Sequence, residues 1–139
     1  MNEIKGFMFE TKIERLDDTA VVRAFGEVDV ATAPALASAL QGASEPTVRR
    51  LVVDLTMVTL LDSSGLGVLI THLNKLQGRS TEADGADAQV EAVPTESGGG
   101  ATEMRLVVPE RILKVFSVTG LNAVFPIFPT MEEALDSPG

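Results

Sequence analysis

One change of hydrophobic period, near the middle of the chain, restricts the fold more than any other feature. The run Leu51-Val-Val-Asp-Leu55 is apolar and β-branched, as a buried strand requires. Beyond it, Leu66, Leu69, Ile70, Leu73 and Leu76 recur three or four residues apart, which is the spacing of a helix face. Asp62, Ser63, Ser64 and Gly65 stand between the two patterns, and short side-chain oxygens of this kind cap the free amides of a helix start. The spacing predicts a strand, a sharp corner and a helix over Ser63–Gln77. At such a corner the backbone N–H groups and the helix dipole favour negative charge, so a phosphate attached to a serine there would be tolerated.

The flanking segments supply the rest of a sheet. Phe7, Phe9, Thr11 and Ile13 alternate with polar residues, which predicts a half-buried strand over Phe7–Arg15. Asp17-Asp18 reads as a hairpin turn into a second strand over Thr19–Phe25, paired antiparallel and ending at Gly26. Asp29-Val-Ala-Thr32 offers capping oxygens and Pro34 suits a first helical turn. That helix has an apolar stripe of Ala33, Leu36, Ala37 and Leu40, with Gly42 as its stop. Later come a buried strand over Met104–Val108 and a helix opened by Pro109 and Glu110. This helix turns Ile112, Leu113 and Phe116 inward and is closed by Gly120. Val124–Phe128 is a short strand that Pro126 confines to a sheet edge, and Thr130-Met-Glu-Glu133 has capping-box spacing before a last helix to about Leu135.

Strands alternating with single helices imply parallel pairs joined by crossovers. The expected class is α/β, with a four- to five-stranded mixed sheet and about four helices packed mainly on one side. Gly78–Glu103 does not fit any period. It holds Gly98-Gly-Gly100 and six carboxylates against the single Arg79, a local net of −5 in a chain of net −9. Such a stretch buries too little apolar surface to offset its ordering entropy. The expectation is one domain over residues 1–139 with a flexible insertion at 78–103, either regulatory or neutral.

Composition removes several function classes. A net charge of −9 lacks the basic footprint that nucleic acid or an anionic membrane surface needs. With no cysteine there is no disulfide, thiol switch or thiolate metal site. One histidine and scattered carboxylates give no transition-metal ligand set. The N-terminus lacks a basic segment followed by an apolar run, and no apolar stretch is long enough to span a bilayer. A cytoplasmic, soluble domain is expected.

A serine hydrolase fails on geometry. His72 follows Ser64 by eight helical residues, a separation of about 12 Å along the axis, and a general base must come within about 3 Å of its nucleophile. His72 is then expected to face solvent or a partner. Gly65-Leu-Gly67 begins a dinucleotide fingerprint, but Ile70 stands where its third glycine belongs, and no Gly-Lys-Ser/Thr occurs. No catalytic set, cofactor site or metal site emerges. Ser64 therefore reads either as a helix cap or as a substrate for another enzyme. If the leucine stripe faces the core, Ser64, Gly67, Val68, Thr71 and Lys75 share an outer face suited to a docked partner. A phosphate there adds about −1.5 to −2 charge and would repel an acidic or apolar partner surface.

The segment Leu61-Asp-Ser-Ser-Gly-Leu-Gly-Val-Leu69 resembles the signature of STAS-domain anti-sigma factor antagonists. Gly26-Glu-Val-Asp29, Leu51–Leu55 and the closing Gly120-Leu, Phe125-Pro-Ile and Glu133-Ala-Leu135 agree with it in order, so that the resemblance covers residues 8–77 and 104–136. The resemblance implies a bacterial partner switch. The unphosphorylated antagonist binds an anti-sigma factor of the histidine-kinase-like ATPase type and frees a sigma factor. That kinase then phosphorylates the antagonist and releases it, and a PP2C-type phosphatase reverses the step. By the same resemblance the phosphoacceptor falls on Ser64, with Asp29, Asp62, Ser63, Gly65, Gly67, Val68, Thr71 and Lys75 around it as partner-binding residues. Asp29 reads equally well as a cap for the helix at Pro34. The family usually crosses from the signature helix to the next strand by a short turn, and here residues 78–103 intervene. The same domain type also serves as a non-phosphorylated module in transport and signalling assemblies.

Overall fold

In the computed structural model, residues 9–78 and 102–136 are described. Five strands lie in the order β1-β2-β3-β4-β5. They are β1 (Glu10–Leu16), β2 (Thr19–Val28), β3 (Arg50–Leu61), β4 (Glu103–Val107) and β5 (Ile127–Phe128). The β1–β2 pair is antiparallel and the other three are parallel, which makes the sheet mixed. The helices are α1 (Ala33–Ala43), α2 (Ser63–Leu76), α3 (Glu110–Thr119) and α4 (Met131–Asp136).

Three helices cover one face. Leu36 and Leu40 of α1, Leu66, Leu69 and Leu73 of α2, and Ile112 and Phe116 of α3 pack on Val22, Leu51, Val53 and Leu106 of the sheet. The short α4 covers the opposite face, where Ala134 meets Val21, Val52 and Val107. The expected α/β architecture is the observed one. Asp17-Asp18 forms the hairpin turn, with Asp17 in the left-handed region at φ 57°, which aspartate tolerates better than most residues. Gly120 closes α3 at φ 80°, and Thr130 Oγ1 accepts the Glu133 amide at the start of α4.

Several boundaries differ from expectation. β3 runs six residues past Leu55 and reaches Leu61. Two register shifts against β2 interrupt its alternation, and Gly26 at φ 108° lies at one of them. The strand predicted to end at Gly26 continues to Val28 for the same reason. Along β1 the alternation predicted a buried side, yet Ile13 is 49 % exposed, because an edge strand has a neighbour on one side only. Helix α1 passes through Gly42 to Ala43, and its buried stripe uses Ala39, with Ala37 only half-buried. Leu113 and Ile70 are not fully buried either. β5 is shorter than predicted and begins after Pro126. The insertion expected at 78–103 lies almost wholly outside the described residues, although Glu103 already belongs to β4.

Candidate functional site

The site begins where two neighbouring strands end together. Val28 pairs with Leu61 as the last register position of β2 and β3, and the Asp62 amide donates to the Val28 carbonyl at 3.1 Å. Asp29 and Asp62 therefore follow adjacent strand ends, at the C-terminal end of two interior strands. Asp62 is the N-cap of α2, and its Oδ1 accepts the amides of Ser64 at 2.8 Å and Gly65 at 3.3 Å. The amides that the sequence offers to an anion are thus already taken by a carboxylate. Asp29 Oδ1 accepts the amides of Ala31 and Thr32, and so shapes the turn into α1.

The expected site residues divide between two sides of α2. Gly65 faces inward, where an added Cβ would lie 2.5 Å from Leu61 Cδ1 and 2.6 Å from Val28 Cγ1. It seats the helix on the strand ends and does not share the outer face. Ser63 is exposed at the corner. Ser64, Gly67, Val68, Thr71 and Lys75 line one groove with Ala37 and Gln41 of α1, about 290 Å³ in volume. A Cβ at Gly67 would meet nothing within 4 Å. The Ser64 hydroxyl has no hydrogen-bond partner among the described residues, and Ser64 is half-buried at the helix start.

His72 was expected to face solvent or a partner, and the first half of that expectation is corrected, although its ring does line the groove. It does not face solvent: it is 6 % exposed, and its Nε2 lies 2.8 Å from Ser44 Oγ at the end of α1. Ser44 Oγ also donates to the Leu40 carbonyl at 2.7 Å, and a hydroxyl has one proton. With the Ser44 proton on the Leu40 carbonyl, the neutral imidazole carries its own proton on Nε2 and donates it to Ser44. Burial, with the Lys75 ammonium beside it, lowers the His72 pKa from 6.5 to about 4. Nearby, Lys75 Nζ donates to Gln41 Oε1 at 3.4 Å, also across the two helices. The α1 side of the groove was not found by sequence reasoning. Ala37 and Gln41 are one turn apart and share a face of α1, but no pattern in the chain states that α1 lies beside α2.

Among the described residues no His, Cys, Asp or Glu cluster could hold a metal ion, and no helix is long and apolar enough to cross a membrane. The arrangement is a surface corner flanked by carboxylates and opening into a shallow groove.

The STAS domain family model matches residues 10–83, and the chain belongs to that family. Relatives along most of its length are antagonists of anti-sigma factors. The anti-sigma-B factor antagonist of Listeria monocytogenes is 27 % identical over 114 residues, covering 82 % of each protein. An anti-sigma factor antagonist from Mycobacterium paratuberculosis, solved as a crystal structure, is 29 % identical with a TM-score of 0.69, covering 91 % of both chains. The Bacillus cell fate determinant SpoIIAA, solved in its phosphorylated form, shares the fold with a TM-score of 0.55 at 24 % identity, covering 91 % of this chain and 97 % of that one.

Proposed function

We propose that this protein is an anti-sigma factor antagonist whose hold on an anti-sigma factor kinase is broken by phosphorylation of Ser64. In this reading the chain is a substrate and a binding partner, not a catalyst. It acts in the bacterial cytoplasm and needs no cofactor of its own. The kinase, of the histidine-kinase-like ATPase type, supplies ATP and magnesium, and a PP2C-type phosphatase restores the free serine.

One observation carries the reading: an unpartnered Ser64 hydroxyl at a helix start, at the mouth of a groove on an otherwise almost uncharged helix pair. Phosphoryl transfer would join the γ-phosphorus of ATP to Ser64 Oγ and release ADP. The added charge of about −1.5 to −2 would fall beside Asp62, whose carboxylate already uses the Ser64 and Gly65 amides. On α1 and α2 the one lysine or arginine is Lys75, eleven residues along the helix at roughly 16 Å. No cation on these helices is near enough to neutralise the phosphate, so it would act as a fixed repulsive charge on the docking surface. The fold would remain and the partner would leave.

The test is incubation with the host's anti-sigma factor kinases and ATP, followed by intact mass and peptide mapping. One phosphate on Ser64 is expected. Ser64→Ala should keep binding the kinase, whereas Ser64→Asp should lose most of it. An unmodified chain, with equal binding by both variants, would instead mark a non-phosphorylated STAS module.

A further inference from the structure

The groove between α1 and α2 extends well past Ser64, and its far end is built differently from its mouth. The mouth is at Ser64, whose amide the Asp62 carboxylate holds, with Asp29 following the neighbouring strand end. The far end holds Lys75, the one charged side chain that α1 and α2 carry between them if His72 is neutral. Among the described residues Lys75 has no carboxylate within 4.0 Å, although acidic residues outnumber basic ones 20 to 11 in the chain. Its ammonium instead reaches the neutral Gln41 amide on the opposite helix. Between the two ends the lining is mostly small or apolar, with Ala37, Gly67, Val68 and Thr71, and the His72 ring closes part of the wall. The Ser44–His72 hydrogen bond ties the end of α1 to α2 at this wall. The groove is therefore tied together across the two helices, mostly small-lined in its middle, and electrically polar along its length.

We propose that this groove is a specificity subsite for the same partner, and that it receives an acidic side chain of the anti-sigma factor whose carboxylate pairs with Lys75. The inference rests on the function proposed above. A glutamate or aspartate fits because its aliphatic stem can lie on Ala37 and Val68 while its charge reaches the ammonium and displaces a weak amide contact. The polarity also sets the orientation of the partner. Its acidic residue lies toward the end of α2, and its end near Ser64 must be neutral or apolar, so that it tolerates Asp62 and yet cannot take up the charge of a phosphate. Lys75 would thus select the partner at a point where phosphorylation does not act.

The experiment measures affinity of the full chain for the host anti-sigma factor kinase without ATP, at low and high salt. It compares the parent with Ser64→Asp, Lys75→Glu and Lys75→Arg. Lys75 is exposed, so thermal melts should show both Lys75 variants as stable as the parent, and Ser64→Asp still folded though melting somewhat lower beside Asp62. Lys75→Glu is expected to bind roughly tenfold more weakly with a shallower salt dependence, and Lys75→Arg to bind like the parent. A partner Glu or Asp changed to Lys should restore binding to Lys75→Glu. Loss in Ser64→Asp with Lys75→Glu binding within about twofold of the parent would overturn the subsite and leave the switch standing. No binding by the parent would overturn both. Self-association of the protein alone, abolished by Lys75→Glu, would put a second copy in the groove and overturn the assignment.

Discussion

Asp62 Oδ1 lies 2.8 Å from the amide nitrogen of Ser64, so the residue before the two serines holds the helix end that carries them. Asp62→Ala should lower stability by about 1 kcal/mol, measured by urea unfolding, with Asp62→Asn close to the parent because asparagine also caps. The same contact makes phosphorylated Ser64 a neighbour of a carboxylate. Phosphorylation should therefore lower the melting temperature of the parent more than that of Asp62→Asn.

Two glycines of α2, two residues apart and therefore on different sides of the helix, should respond in opposite directions. Gly65→Ala drives a methyl into Leu61 and Val28 and should cost about 1–3 kcal/mol through overpacking. Gly67→Ala meets nothing within 4 Å and should gain up to about 1 kcal/mol from helix propensity. Its methyl would nevertheless stand on the proposed docking face, so stability would rise while partner affinity falls. Parallel melting and binding measurements check both signs.

His72 gives the protein a stability term that depends on pH. Its folded pKa of about 4 lies below the unfolded value near 6.5, so the unfolded chain takes up a proton first as pH falls. Stability from this group is complete above about pH 6.5 and is lost toward pH 4, on the order of 3 kcal/mol over the full interval. Carboxylates titrate near the lower end, so the informative quantity is the difference from His72→Gln. Urea unfolding of both proteins at pH 7 and pH 4.5 should show the smaller loss in the variant.

On the opposite face of the sheet, Arg105 Nη1 donates to the Ala134 carbonyl at 2.7 Å, and Arg50 Nη1 donates to Leu135 at 3.3 Å. Glu103 lies between the two guanidinium groups, 3.1 Å from Arg105 Nε and 3.5 Å from Arg50 Nε. Two cations thus meet the carbonyl end of α4, where the helix dipole is negative. Arg105 is 1 % exposed, and its loss leaves a large buried gap, the Ala134 carbonyl without its donor and Glu103 with Arg50 alone. Arg105→Ala should cost about 3–5 kcal/mol. Arg105→Lys should recover only part, since lysine has no planar fork. Hydrogen exchange should show α4 amides losing protection before those of α2.

What the chain announces by itself is whatever repeats at short range. The β-branched run of β3, the leucine spacing of α2, the Asp62 cap and the Gly120 stop are local, because backbone hydrogen bonding and side-chain period act over a few residues. The family signature is legible for the same reason, since its residues are contiguous. Boundaries were harder to read where register shifts let β3 reach Leu61, and burial was harder to read on β1, whose alternation says nothing about its place at the edge.

Tertiary structure alone decided which surfaces meet. Burial of His72 against Ser44 joins residues 28 positions apart, and the groove exists only because α1 lies beside α2. The inward turn of Gly65 depends on Val28, a residue from another strand. Such contacts arise from how whole elements share one core, and no local period encodes that.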